Sequence, residues 1–425
     1  MSTLARAAIL AVGSEMLTPT RVDTNSLFIT EQLDRLGVEV RFKTVVGDDR
    51  ADLARALREA LASVDLVVCS GGLGPTDDDL TREVAAAVLG RTLAEDPAIV
   101  CQLRARFAAR NLPFPMPEIN RRQAQVPSGA TVLANAHGSA PGLWLDHGPQ
   151  VVLLLPGPPR ELKPMFLALT AGALRARTSG QALVRRVLKV VGRIESEVDQ
   201  ALQPHYRAWE RAEPPVAATI LAALGQIELH VWTRAASLAA AEAAAARAID
   251  EARMVIGADV YSVDGRNMEV VVGEALLAQG LRIAVAESCT GGLIASRLTD
   301  VPGSSGYLDM AFVVYANAAK TDLLGVPAAL IEGHGAVSEP VARAMAEGVR
   351  MRSRADLGVG VTGIAGPTGG SEEKPVGTVF AAVASAEGTV VRRFRYFGER
   401  DRIKFQASQG ALDLVRRHLA RAGSA

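Results

Sequence analysis

Three runs in the first part of the chain, AAILAV from Ala7, DLVVCS from Asp65 and VVLLL from Val151, are apolar at nearly every position. A strand with one face in water alternates apolar and polar side chains, whereas a strand covered on both faces has no polar face to show. Short runs of this kind predict the buried strands of a parallel sheet with helices packed on both sides. The amphipathic stretches TNSLFITEQLDRLG and RADLARALREALASV supply such helices, with Gly37 and Gly90 where helix C-caps belong. With VEVRFKTVV as a further strand, the sequence predicts a doubly wound α/β domain over residues 1–172.

The pattern changes over residues 181–258, where two strand candidates, LVRRVLKVVG and QIELHVWT, each precede a helix. The second of these helices, SLAAAEAAAARAIDEARM, is Ala-rich but carries recurring Leu and Ile, which marks a plain helix former. GADVYSVDGRN reads as a linker. Alternation then returns over residues 267–423, with helix MEVVVGEALLAQG, strands RIAVAE, AFVVY, LGVGVTG, TVFAAVAS and TVVRRFRYF, and a closing amphipathic helix from about Asp401 to Arg421. A chain of 425 residues is longer than one core usually supports, so two or three domains are expected from length, and the patterns divide the chain into three of α/β or α+β type.

Charge narrows the range of partners. Lys+Arg and Asp+Glu both total 46, so no general field draws the chain to nucleic acid or an anionic membrane. Partners are expected to be small molecules held by local sites. Three cysteines without paired metal spacing fit a reducing compartment, and the N-terminal apolar run is too short to span a bilayer and has no cleavage pattern, so a cytoplasmic address is expected.

The sharpest local signal in the first domain is GGLGPTDDDLT, Gly71 to Thr81, directly after the strand DLVVCS. Gly71, Gly72 and Gly74 let backbone approach a ligand, and three consecutive aspartates, Asp77 to Asp79, suit a divalent cation held against a phosphate. A Gly-Pro turn with Asp at a helix N-terminus would give part of the same string without any ligand. NAHGSAPG and PGPPRE add two more loops at strand ends, where α/β sheets form their ligand crevices.

GSEML, VDTNS, VVGDD, GGLGPTDDDLT, PEINRRQA, GSAPG and LPGPPRE together resemble the N-terminal domain of the CinA (competence/damage-inducible protein A) family, itself similar to molybdopterin-binding domains. The resemblance implies a metal-dependent ADP-ribose pyrophosphatase, with Asp48, Asp78 and Asp79 as metal or catalytic residues and Asp23 and Asn25 in contact with the nucleotide. Pro19 stands where the family usually has Gly, and Ser139 where Thr is usual. The resemblance also makes the middle segment a KH-like module. No GxxG loop lies between Gln181 and Ala258, so RNA binding is not expected there, and a spacer or dimerisation role in a homodimer is.

In the third domain AESCTGG begins where the strand RIAVAE ends, placing Ser288 at a strand–helix junction with its hydroxyl near backbone N–H groups. YANAAK places Tyr315 and Lys320 at the end of another strand, and a lysine whose pKa is depressed by burial can serve as base where no histidine does. A helix-capping serine and a surface lysine would fit the same spacing. Cys289 is a rival nucleophile or a small buried hydrophobe. The loop TGIAGPTGGSEEKPVGTV and Arg400 at the start of the last helix add backbone donors and a cation suited to a phosphate.

AESCTGG, VPGSSGY, VVYANAAK, GAVSEP, TGIAGPTGGSEEKPVGTV and GERD resemble the CinA C-terminal domain, the nicotinamide-nucleotide amidases. The resemblance implies cofactor-free hydrolysis of nicotinamide mononucleotide to nicotinate mononucleotide and ammonia. It assigns Ser288 as nucleophile, Lys320 as base and Tyr315 as a hydrogen-bonding partner. Thr290, Thr362, Gly363 and Arg400 would bind substrate, with Gly291 and Gly292 on the oxyanion side. Two other readings remain open at this point: a non-catalytic accessory factor in DNA uptake or recombination, and molybdopterin binding by the first domain.

Overall fold

A computed structural model describes residues 3–109 and 115–422, so residue 423 of the third predicted domain lies outside it. The chain divides into two compact units, Met1–Val184 with Thr233–Ala244, and Arg185–Trp232 with Ala245–Ala425.

The first unit is built on a six-stranded sheet. Its strands are β1 (Arg6–Val12), β2 (Glu39–Val46), β3 (Leu66–Ser70), β6 (Thr131–Leu133), β7 (Gly142–His147) and β8 (Gln150–Leu155), in the order β2-β1-β3-β8-β7-β6. The short strands β4 (Leu93–Glu95) and β5 (Gln125–Pro127) pair separately. Along β1, Ala8, Leu10 and Val12 join one core and Ala7 and Ile9 the other; β3 and β8 divide in the same way. Both faces are therefore apolar, which is why these runs do not alternate. Helices Arg50–Ser63 and Thr81–Val88 cover one face, and Thr24–Arg35 with Pro159–Ala171 the other. The expectation of a parallel sheet holds for β2, β1, β3 and β8 but needs correcting at one edge. There β7 and β6 run antiparallel, because a tight turn at Gly148 returns the chain directly from β7 into β8.

A four-stranded sheet, β10-β11-β9-β12, is made of β9 (Ala182–Val190), β10 (Val216–Ala223), β11 (Gln226–Ala235) and β12 (Val260–Ser262). The expected strands are β9 and β11. The linker reading of GADVYSVDGRN is corrected by β12, whose Val260 and Ser262 pair with β9.

In the second unit a five-stranded sheet has the order β14-β13-β15-β16-β17, formed by β13 (Ile283–Glu287), β14 (Leu308–Val313), β15 (Leu357–Gly363), β16 (Thr378–Ser385) and β17 (Gly388–Arg395). Strands β14, β13 and β15 are parallel and the last two antiparallel. Along β13, Ile283 and Val285 pack with helices Met268–Gln279 and Arg400–Ala422, while Ala284 and Ala286 pack under helix Glu339–Ser353. No helix among the described residues is long and apolar enough to cross a membrane.

Candidate active sites

In both sheets the chain leaves the central strand to one side and returns on the other, so loops diverge at the C-terminal ends and open a crevice. In the first unit a cavity of about 370 Å³ lies there, and its wall includes Asn25, Glu15, Asp48, Asp78, Asp79 and Glu161. Gly71 turns the chain away from β3 at φ +110°, and a Cβ on it would stand 2.1 Å from the Val12 carbonyl oxygen, so only glycine fits. Arg82 is fully buried without a carboxylate partner. Its guanidinium donates to the carbonyls of Leu73 (2.6 Å) and Arg122 (2.9 Å), tying two loops of the rim together.

The aspartates do not behave alike. Asp79 accepts from Gly74 N (2.8 Å), Thr76 N (3.0 Å) and Thr76 Oγ1 (2.5 Å), so its carboxylate is committed to its own loop. Asp48 accepts from Ser14 N (2.7 Å), and Asp78 stands exposed. Among the described residues no three His, Cys, Asp or Glu side chains come together as a metal cage. Carboxylates of this kind suit a hard cation whose coordination is completed by phosphate oxygens; both oxygens of Asp79 are taken by its own loop, whereas Asp48 accepts through one oxygen only. The cavity also holds acceptors without donors. Asn25 donates to Gly157 O (2.7 Å) and Ser70 Oγ (3.1 Å), yet its Oδ1 is buried and unpartnered, as is Gln123 Oε1.

In the second unit Ser288 follows β13, its N–H donating to Val361 O of the neighbouring β15 (3.0 Å). The serine is buried and its Oγ has no hydrogen bond. The following helix, Leu293–Thr299, is short, and Glu287 takes its starting amides: the buried carboxylate accepts from Gly292 N (3.0 Å), Ile294 N (3.1 Å) and Ala295 N (2.9 Å). Gly291 N donates to Ser288 O (3.2 Å). This corrects the expectation that Gly291 and Gly292 serve the oxyanion, since both amides are committed. The N–H groups of Cys289 and Thr290, next to the serine, have no acceptor on another residue. Thr290 Oγ1 is buried and unpartnered as well.

Lys320 is 1% exposed. Its Nζ donates to Val314 O (2.9 Å) and Tyr315 O (3.1 Å), and Val314 N donates to Glu287 O (2.8 Å), so the amine is held beside the strand end that carries Ser288. Burial pulls its pKa below the ordinary lysine value, and no carboxylate pairs with it to oppose that. Burial pushes the Cys289 thiol up to about 12, despite the fields of Arg400 and Lys320 acting on it, so it is not a thiolate at neutral pH. Tyr315 is exposed, and its hydroxyl accepts from Arg400 (2.8 Å), which also donates to Gly366 O (2.6 Å).

Residues 8–176 match the family described as probable molybdopterin binding domain, and residues 265–419 match the CinA C-terminal domain. A CinA-like protein of Koribacter versatilis is 46% identical over 417 residues, covering 97% of this chain and 99% of that protein. The chain belongs to the CinA family. A putative competence-damage inducible protein of Symbiobacterium thermophilum is 47% identical over 425 residues, covering 97% of this chain and 98% of its own. A crystal structure of a competence/damage inducible protein from Agrobacterium tumefaciens covers 36% of this chain and 97% of its own at 41% identity, with a TM-score of 0.35.

Within this CinA protein the first crevice gathers Asn25, Asp48, Gly71, Gly72, Gly74, Asp78 and Asp79 from the residues picked out in the sequence. Asp23 is not among them: its carboxylate caps helix Thr24–Arg35 by accepting from Ser26 N (2.9 Å). Pro19 is exposed and outside the cavity wall, whereas Ser139 is part of it. In the second unit Ser288, Thr290, Lys320, Thr362 and Gly363 lie at or just beyond neighbouring strand ends. Thr362 donates to Ala336 O (2.8 Å), and a Cβ on Gly363 would stand 2.9 Å from Cys289 Sγ. Glu161, Gln123, Arg82, Glu287 and Lys404 were not singled out. A usable signal existed for Glu287, the one charge ending the apolar strand IAVAE.

Proposed function

We propose that the C-terminal domain hydrolyses the carboxamide of nicotinamide mononucleotide and that the N-terminal domain cleaves the pyrophosphate of ADP-ribose. The observation that carries the first reading is the setting of Lys320. A neutral primary amine has two N–H groups and one lone pair; with both N–H groups directed to the Val314 and Tyr315 carbonyls, only the lone pair is free to take a proton. Burial favours that neutral form.

In this mechanism Lys320 removes the proton from Ser288 Oγ as the oxygen attacks the carboxamide carbon. The amides of Cys289 and Thr290 donate to the oxygen that becomes negative, and Lys320 returns its proton to the departing nitrogen, releasing ammonia. Water then attacks the ester on Ser288, again with Lys320 as base, and frees nicotinate mononucleotide. Arg400 fixes Tyr315 at the rim.

In the N-terminal domain the N–H groups of Gly72 and Leu73, which have no acceptor among the described residues, would donate to diphosphate oxygens. The unpartnered oxygens of Asn25 and Gln123 suit ribose hydroxyl donors. A divalent ion on Asp48 and Asp78, when bound, would neutralise charge on the diphosphate.

The test is to incubate the purified full chain separately with nicotinamide mononucleotide and with ADP-ribose and to separate the products by chromatography. Nicotinate mononucleotide with ammonia, and AMP with ribose 5-phosphate, are expected. Substrate returned intact in either reaction, with metal supplied to the second, overturns the reading for that domain.

A further inference from the structure

Lys404 lies on helix Arg400–Ala422, one turn beyond Arg400, and is half-buried. Among the described residues its ammonium group forms no ion pair or hydrogen bond. Residues four apart share a helix face, and both line an open cavity of about 920 Å³ whose lining also includes the apolar Leu293, Ala365, Pro367 and Val376. Arg400 hydrogen-bonds only neutral oxygens there, so neither cation is paired directly with a carboxylate among the described residues. The exposed acids Glu399 and Asp401 also border the cavity, but neither pairs with either cation.

Lys404 is brought against the loop of Ser288. A Cβ on Gly291 would stand 3.5 Å from Lys404 Nζ, and Gly291 itself has φ +64°. The unpartnered, fully buried Thr290 hydroxyl is in the same loop. A cavity lined by apolar side chains and by two cations without carboxylate partners, next to the loop that carries Ser288, fits a ligand with an aromatic ring at one end and an anion at the other. We propose that Lys404 anchors the substrate phosphate and is the residue that makes the amidase prefer a mononucleotide to the corresponding nucleoside. This rests on the amidase reading, and the part that is new is the assignment of phosphate selectivity to Lys404.

The experiment compares nicotinamide mononucleotide with nicotinamide riboside, which lacks the phosphate, on wild-type protein, Lys404→Met and Lys404→Arg. Loss of a charge-assisted contact predicts a rise in KM for the mononucleotide of roughly 30- to 100-fold in Lys404→Met, with kcat nearly unchanged. Riboside turnover should not move, and Lys404→Arg should restore most of the mononucleotide affinity. Equal losses on both substrates, or no change on either, overturn the proposal.

If the wild-type chain hydrolyses neither compound, it is the amidase reading that fails. Calorimetric titration of the full chain with nicotinamide mononucleotide then decides the subsite alone. Binding that is weakened in Lys404→Met and kept in Lys404→Arg supports it; absent or Lys404-independent binding rejects it.

Discussion

In the first sheet the chain passes from β1 out to β2 and back across to β3, and in the C-terminal sheet it takes the same path through β13, β14 and β15. Both crevices therefore open at the same place in the topology, yet their linings differ in charge: the first is acidic, and the second mixes acids with bases. The first presents Glu15, Asp48, Asp78, Asp79 and Glu161; the second sets Arg400 and Lys404, neither paired with a carboxylate, beside the exposed Glu399 and Asp401. An acidic wall repels a nucleotide phosphate unless a cation intervenes, whereas a side-chain cation left without a carboxylate partner can meet it directly. Thread order decides where a ligand is met, and the side chains at those strand ends decide whether a metal is needed.

The strongest way to break this contrast is to remove the nucleophile. Ser288→Ala should lower ammonia release from nicotinamide mononucleotide by at least ~1000-fold, while Cys289→Ala keeps most of it. A dead cysteine variant beside an active serine variant would reverse the assignment. Next in size is Lys320→Arg, expected to lose ~100-fold or more because guanidinium stays protonated. Wild-type turnover should rise with pH along one limb as Lys320 loses its proton, with an apparent pKa below the ~10.4 of a free lysine, since burial lowers it. A flat profile, or full turnover in Lys320→Arg, would leave the lysine as a mere cation.

The acidic crevice is probed by changing metal dependence. Asp48→Asn should weaken ADP-ribose cleavage by roughly 10- to 100-fold and be partly rescued by raising the metal concentration, because a ligand is lost. Asp79→Asn should also lose activity, but without rescue and with a lower thermal midpoint, because the lost acceptor belongs to the loop. Identical metal titrations for the two variants would erase the distinction. Amidase activity should be unaffected in both. The smallest effect is expected at Glu287→Gln, about 1–3 kcal/mol of stability from leaving a buried amide short of an acceptor, read by denaturant unfolding.

The buried strands were legible because burial on both faces leaves nearly every position of β1, β3, β8 and β13 apolar. Strands β7 and β12 were not, since the first is set by a hairpin and the second by pairing with a distant strand. Ser288 and Lys320 could be read from their motifs, but the use of the surrounding amides could not. Whether Gly292 N faces a substrate or a carboxylate depends on where Glu287 turns, and Tyr315 meets Arg400 from 85 residues away. The Asp77 to Asp79 run shows the same limit: composition marks three equivalent acids, while the loop makes one a brace and pairs another, Asp77, with Arg122.

Arg82 bears on the entropy of binding. A recognition loop that is loose in the free protein must be ordered by its ligand, and that ordering subtracts from affinity. Here the ordering is already done from within: a guanidinium sealed from water grips carbonyls at Leu73 and Arg122, and releasing either would leave a buried charge short of acceptors. The rim should therefore hold nearly the same shape with and without nucleotide, with the amides of Gly72 and Leu73 exchanging readily in the free protein and slowly once a ligand accepts from them.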